Sequence, residues 1–177
     1  MRKLFVILLF LMLGTQLLVN AQGSSNFNTQ AKMKAMFIYN FTKYIEWPSS
    51  YKEGTFIVGV LGESPMYDNL VEMANTKKAG VQSFEIKKYN SSSEIDKCHM
   101  LFVPKDDSGK LNEALKKVKD YSTLVITEQE NLCSEGTGIN FVIRNNRQKF
   151  ELNKNKVEAK ELKIASSLLS LAIMCPQ

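Results

Sequence analysis

Histidine is almost missing from this 177-residue sequence, which holds one, beside one tryptophan, three cysteines and four prolines. Each scarcity removes a class of chemistry. His99 follows Cys98 at the start of an apolar run that reads as a strand, where neighbouring side chains point to opposite faces. The two therefore form neither a Cys–His dyad nor a shared metal site, and His99 reads as structural. No C-x-x-C or H-x-x-x-H spacing offers the four ligands of a zinc site. The G-x-S-x-G elbow, the P-loop and the G-x-G-x-x-G turn are all absent, since Gly59 and Gly62 alone do not make the last of these. Nor does spacing place a pair of carboxylates in a cleft. The expectation is a protein that is no enzyme, with no cofactor and no metal.

Long apolar runs are lacking after residue 21, where nothing approaches the ~20 residues that cross a bilayer. Before that point the pattern differs. Met1-Arg2-Lys3 is a basic start, Leu4 to Leu18 is apolar apart from Gly14, Thr15 and Gln16, and Val19-Asn20-Ala21 is a small-x-small cleavage pattern. Residues 1–21 read as a secretory signal peptide and the small polar residues of 22–30 as a flexible leader. Cleavage after Ala21 leaves 156 residues with 21 basic and 18 acidic groups, a net charge of +3. That is too sparse a basic surface for nucleic acid. No cysteine precedes Cys98 to carry a lipid, so the mature chain is expected in the periplasm, without membrane insertion of its own. A chain of that size buries roughly 68–70% of its unfolded surface, enough for one core without a cystine scaffold.

The spacing predicts a helix over Thr29 to Glu46, with Met33, Phe37, Phe41 and Tyr44 or Ile45 inward and Lys32, Asn40 and Lys43 outward, stopped by Pro48 after Trp47. Trp47 is expected to bury its ring against a sheet. Thr55 to Leu61 reads as a strand buried on both faces. Gly62-Glu63-Ser64-Pro65 then turns into a helix running to about Thr76, with Ser64 as cap and Pro65 first. Free N–H groups at such a turn can hold an anion or small polar ligand, Gly62, Glu63 and Ser64 being the candidates with Asn40 and Lys43 nearby, or Ser64 satisfies them itself. Phe84 to Tyr89, His99 to Val103 and Leu124 to Thr127 read as strands, with a helix around Leu111, Leu115 and Val118 capped near Ser108. Strands alternating with helices imply parallel βαβ units. Ile139 to Arg144 and Gln148 to Leu152 flank Asn145-Asn146, a tight hairpin turn. Lys154 to Met174 reads as one or two helices with Leu162, Ile164, Leu168, Leu169 and Leu171 inward. The expected fold is a single α/β domain over 31–177, with a mainly parallel sheet, an antiparallel C-terminal hairpin and helices on both faces. Among Cys98, Cys133 and Cys175 one bridge allows three pairings. Cys133 lies in a polar loop and Cys175 near the terminus, which favours Cys133 with Cys175.

Five segments in order resemble the YfiR-like periplasmic regulators. They are Ala35 to Pro48 (AMFIYNFTKYIEWP), Val58 to Pro65, Cys98 to Val103, Gly138 to Phe141 with Phe150 to Asn153, and Leu162 to Leu169 (LKIASSLL). The resemblance covers about residues 31–172 and includes Trp47, Pro48, Asn140 and Phe141 as structural motif positions. It implies a non-catalytic regulator that binds and restrains the extracytoplasmic sensor domain of an inner-membrane signalling protein such as a diguanylate cyclase, lowering cyclic-di-GMP. A homodimer is compatible with it. The family's second cysteine upstream of the one at Cys98 has no counterpart here, and Ser134, Glu135 and Gly136 stand where a further one is common. The alternative role is a periplasmic receptor for a small ligand at the Gly62 to Ser64 turn.

Overall fold

A computed structural model describes the backbone of residues 19–175 and the side chains of residues 29–175. In chain order the helices are α1 (Val19–Tyr44), α2 (Met66–Ala74), α3 (Leu111–Lys117), α4 (Lys154–Glu158) and α5 (Ser166–Leu171). The strands are β1 (Ile45–Glu46), β2 (Phe56–Leu61), β3 (Lys78–Ala79), β4 (Gln82–Tyr89), β5 (Met100–Val103), β6 (Leu124–Thr127), β7 (Ile139–Arg144), β8 (Arg147–Leu152), β9 (Lys163–Ile164) and β10 (Ile173–Met174). Eight strands form one sheet in the order β10-β8-β7-β6-β5-β2-β4-β3, and β1 pairs with β9 in a separate antiparallel ribbon. Only β7–β8 and β3–β4 are antiparallel in the large sheet.

The strong apolar runs become the central strands because they are covered twice. Phe56, Val58 and Val60 of β2, Met100 and Phe102 of β5, and Leu124 and Ile126 of β6 face one core with α1 and α2. The alternate residues Leu61, Leu101, Val103 and Val125 face a second core with Leu111 and Ala114 of α3. This is a single α/β domain with helices on both faces, as the alternation of elements implied. The hairpin also forms where expected: Arg144 pairs with Arg147, and Asn145 and Asn146 turn with φ of 53° and 57°, the positive values a two-residue type I′ turn requires.

Several expectations are corrected. Helix α1 runs through the residues expected as a leader, because nothing in 22–30 is a proline that would stop a helix propagating backwards. It ends at Tyr44, where β1 takes over by pairing with β9. Its buried stripe is Ala31, Ala35, Ile38 and Phe41, continued by Ile45 of β1, while Met33 is 43% exposed. Small alanines let the backbone approach the sheet, so the larger Met33 is left outside. The C-terminal stretch is broken into α4, β9, α5 and β10, with Leu171 exposed, since Ile164 and Ile173 are drawn into strand pairing with Ile45 and Glu151. The signal-peptide reading lies mostly on residues 1–18, outside the described residues.

Candidate functional site

Two clefts open at opposite ends of the parallel strands. At the carboxyl ends, the chain leaves β2 toward α2 on one face and leaves β5 toward α3 on the other. Loops that diverge in this way leave a crevice at the switch point, the usual ligand position in open α/β sheets. Here the crevice is about 420 Å³, lined by Glu63 and Ser64 after β2, Lys105 and Asp106 after β5, and Glu128 after β6, with Lys34 of α1 across from them. Lys34 Nζ lies 2.5 Å from Glu128 Oε2, both side chains about 15% exposed, and the Lys105 N–H donates to Glu128 Oε1 at 3.2 Å.

Several polar groups at this end are engaged within the chain. Ser64 Oγ accepts the Met66 N–H at 3.2 Å and the Ser64 carbonyl accepts the Tyr67 N–H at 3.0 Å, so Ser64 caps α2 itself. Gly62 has a φ of 76° and donates its N–H to the Tyr89 carbonyl at 2.7 Å. The Asp107 carboxylate packs where a Cβ would stand at Gly62, so only glycine fits there. Asp107 is held in turn by Lys110 at 2.6 Å. Glu63 pairs with Lys88. Asn40 is half-buried on α1 and lines neither cleft, and Lys43 belongs to the other end of the sheet. The five candidates do not converge.

The amino-end cleft, about 530 Å³, lies between the last turn of α1, the β1–β9 ribbon and the β3–β4 hairpin tip. Its floor is Ile45, Trp47 and Phe56, each no more than 5% exposed. Behind them stands His99, also 5% exposed. His99 Nδ1 accepts the Ile57 N–H at 3.1 Å and Nε2 donates to the Tyr51 carbonyl at 2.8 Å, so the ring is neutral with both nitrogens satisfied. Burial holds its pKa below the ordinary 6.5. The indole N–H of Trp47 donates to the His99 carbonyl at 3.2 Å, and the Phe56 ring lies 4.2 Å from the imidazole. Pro48 opens the turn that presents Tyr51, its carbonyl accepting the Tyr51 N–H at 2.9 Å, and the Tyr51 hydroxyl accepts the Ser122 N–H at 3.0 Å. Trp47 is thus buried against the sheet as its sequence context suggested.

The remaining motif residues are internal. Asn140 is fully buried, accepting from Thr127 Oγ1 at 2.8 Å and donating to Glu151 at 3.0 Å. Phe141 stacks on Phe41 at 6.1 Å. Cys133 and Cys175 are bridged, with Cα atoms 5.9 Å apart. Cys98 is a free, fully buried thiol whose pKa burial pushes up to about 12. No cluster of metal-ligating side chains occurs among the described residues. Sequence reasoning missed Lys34, Glu128, Asp107 and Lys163, because isolated charges carry no spacing signal until the fold gathers them.

A family model described as YfiR/HmsC-like matches residues 31–173. No curated protein matches the chain. Among solved structures, the chain is similar to the ABC domain from Streptococcus pneumoniae solved in complex with L-Trp, at 14% identity and a TM-score of 0.50. The match covers 67% of this chain and 54% of that one, so the chain spans about half the length of that relative, and the likeness is one of fold alone.

Proposed function

Because the chain belongs to the YfiR/HmsC-like family, a family of periplasmic regulators of diguanylate cyclase signalling, we propose that it is a non-catalytic module that binds the extracytoplasmic domain of an inner-membrane signalling protein and holds that protein inactive. The family match over residues 31–173 carries this reading. The side chains best suited to catalysis support it, since His99 has both ring nitrogens engaged by backbone and Cys98 is buried with a thiol that resists ionisation. Export through a signal peptide cleaved after Ala21 belongs to the same proposal. So does the choice of an inner-membrane diguanylate cyclase as partner.

The test combines binding with output. A tagged chain recovered from gently solubilised membranes retains an integral-membrane cyclase or kinase identified by mass spectrometry. Deleting its gene raises cyclic-di-GMP, and restoring the gene lowers it again. An unchanged nucleotide level together with recovery of no integral-membrane signalling protein would overturn the proposal.

A further inference from the structure

The amino-end cleft combines three features. First, its charge is one-sided: Lys43, Lys52 and Lys163 line it against Glu46 alone. Lys52 and Glu46 pair at 2.6 Å, and Lys163 stands close enough to help hold the Glu46 carboxyl below its usual range. Neither Lys43 nor Lys163 forms a salt bridge among the described residues, and Lys43 Nζ rests 4.4 Å from the Tyr39 ring centre. At the other end of the sheet, Lys34 and Lys105 are outnumbered by Glu63, Asp106, Glu128 and Glu130, and Lys34, Glu63 and Glu130 are paired within the chain. Second, the cleft has an apolar floor at Ile45, Trp47 and Phe56. Third, its far rim is Val81, 88% exposed at the tip of the β3–β4 turn and the most exposed large apolar residue described. A solvent-facing valine beside an apolar floor and cations that form no salt bridge describes a surface that is completed by something else.

We propose that this cleft is the docking surface for the partner protein, and that the occupant is a peptide segment presenting an apolar side chain flanked by carboxylates. The inference rests on the regulatory reading above and adds where and by what chemistry the partner is held. The apolar side chain covers Val81 and the floor, and the flanking carboxylates meet Lys43 and Lys163. Charge complementarity chooses an acidic segment over a basic one, because like charges set against these lysines repel. The rigid framing also favours docking. The β1–β9 ribbon and the His99 bonds hold the floor in place, so little ordering opposes association.

Photo-crosslinking in the cells that encode the chain tests this while the partner is still unidentified. The photoreactive residue p-benzoylphenylalanine is placed at Val81, where exposure at a turn tip leaves the fold undisturbed, and separately at Ile143 on the rim of the carboxyl-end crevice. The expected result is an adduct at Val81 to an inner-membrane signalling protein, attached through a peptide with an apolar residue between Asp or Glu residues. A synthetic copy of that peptide binds the purified chain, and Lys43→Glu with Lys163→Glu weakens it at least about tenfold. The milder pair Lys43→Gln with Lys163→Gln weakens it less, and circular dichroism confirms that both variants are folded. An adduct to such a protein at Ile143 but not at Val81, or peptide binding indifferent to the lysines, overturns the docking surface and leaves the regulatory reading standing. No adduct to any signalling protein at either position overturns both.

Discussion

At the residue scale, His99 concentrates the most structure in one side chain. Its ring accepts from β2, donates to the turn after Pro48, and sits against Phe56 and Tyr51, 4.2 and 5.1 Å away between ring centres. Protonation would remove the acceptor for the Ile57 N–H and place a charge among aromatic rings, with Lys97 as a further nearby cation. The folded-state pKa therefore lies below 6.5, and the unfolded chain takes up the proton first as pH falls. The stability contributed by neutral His99 is complete above about pH 6.5 and is lost as pH drops from there toward the folded-state value. Urea denaturation at about pH 7.5 and 5.5 should show a lower midpoint in acid, and His99→Gln should be less stable at the higher pH with a flatter profile. As the only histidine, His99 gives a single set of imidazole NMR signals. A titration midpoint at or above the ordinary value would defeat this account.

At the scale of elements, β10 needs explanation because a two-residue strand cannot hold its own place at a sheet edge. It is fastened just beyond its end, where the Cys175 N–H donates to the Leu152 carbonyl at 3.1 Å and Cys175 is bridged to Cys133 in the 3₁₀ turn Leu132–Ser134. The bridge spans a sequence separation of 42, which in the loop-entropy account contributes about 4 kcal/mol. The variant Cys133→Ser with Cys175→Ser should lose stability of that order in chemical denaturation. Non-reducing peptide maps of the wild type should show the 133–175 linked peptide. Iodoacetamide applied to the native protein should leave Cys98 unmodified, since that thiol is fully buried and its pKa stands at about 12. Rapid native alkylation of Cys98, or a linked peptide containing it, would replace a structural bridge with an accessible redox site.

At the scale of the whole molecule, the two cores are not independent, because β2, β5 and β6 each supply side chains to both. Trp47 connects the end of α1 to this shared sheet by its T-shaped contact with Phe56 at 4.9 Å and its hydrogen bond to the His99 carbonyl. Trp47→Ala should therefore cost about 3–5 kcal/mol and shift a single unfolding transition followed by circular dichroism. Two separated transitions would show that the cores unfold independently. Unchanged stability would show that Trp47 does not hold the end of α1 to the sheet.

What the amino acid sequence determined by itself was local. Continuous β-branched and aromatic runs specified the central strands, because a segment covered on both faces needs apolar side chains at every position. Asn145-Asn146 specified its turn because asparagine tolerates positive φ, and Ser64-Pro65 specified the start of α2. Tertiary structure decided whatever depended on distant partners. Which face of α1 is buried was settled by how closely Ala31 and Ala35 let the helix approach the sheet, a choice hydrophobicity alone assigned to Met33. Residues 154–174 became short strands and short helices because Ile45 and Glu151 were there to pair with Ile164 and Ile173. The placement of Lys43 and Lys163 in one cleft, and of Gly62 and Ser64 at the far end of the sheet, follows from strand order and from the direction in which each strand is left. Neither is encoded in the spacing of any short segment.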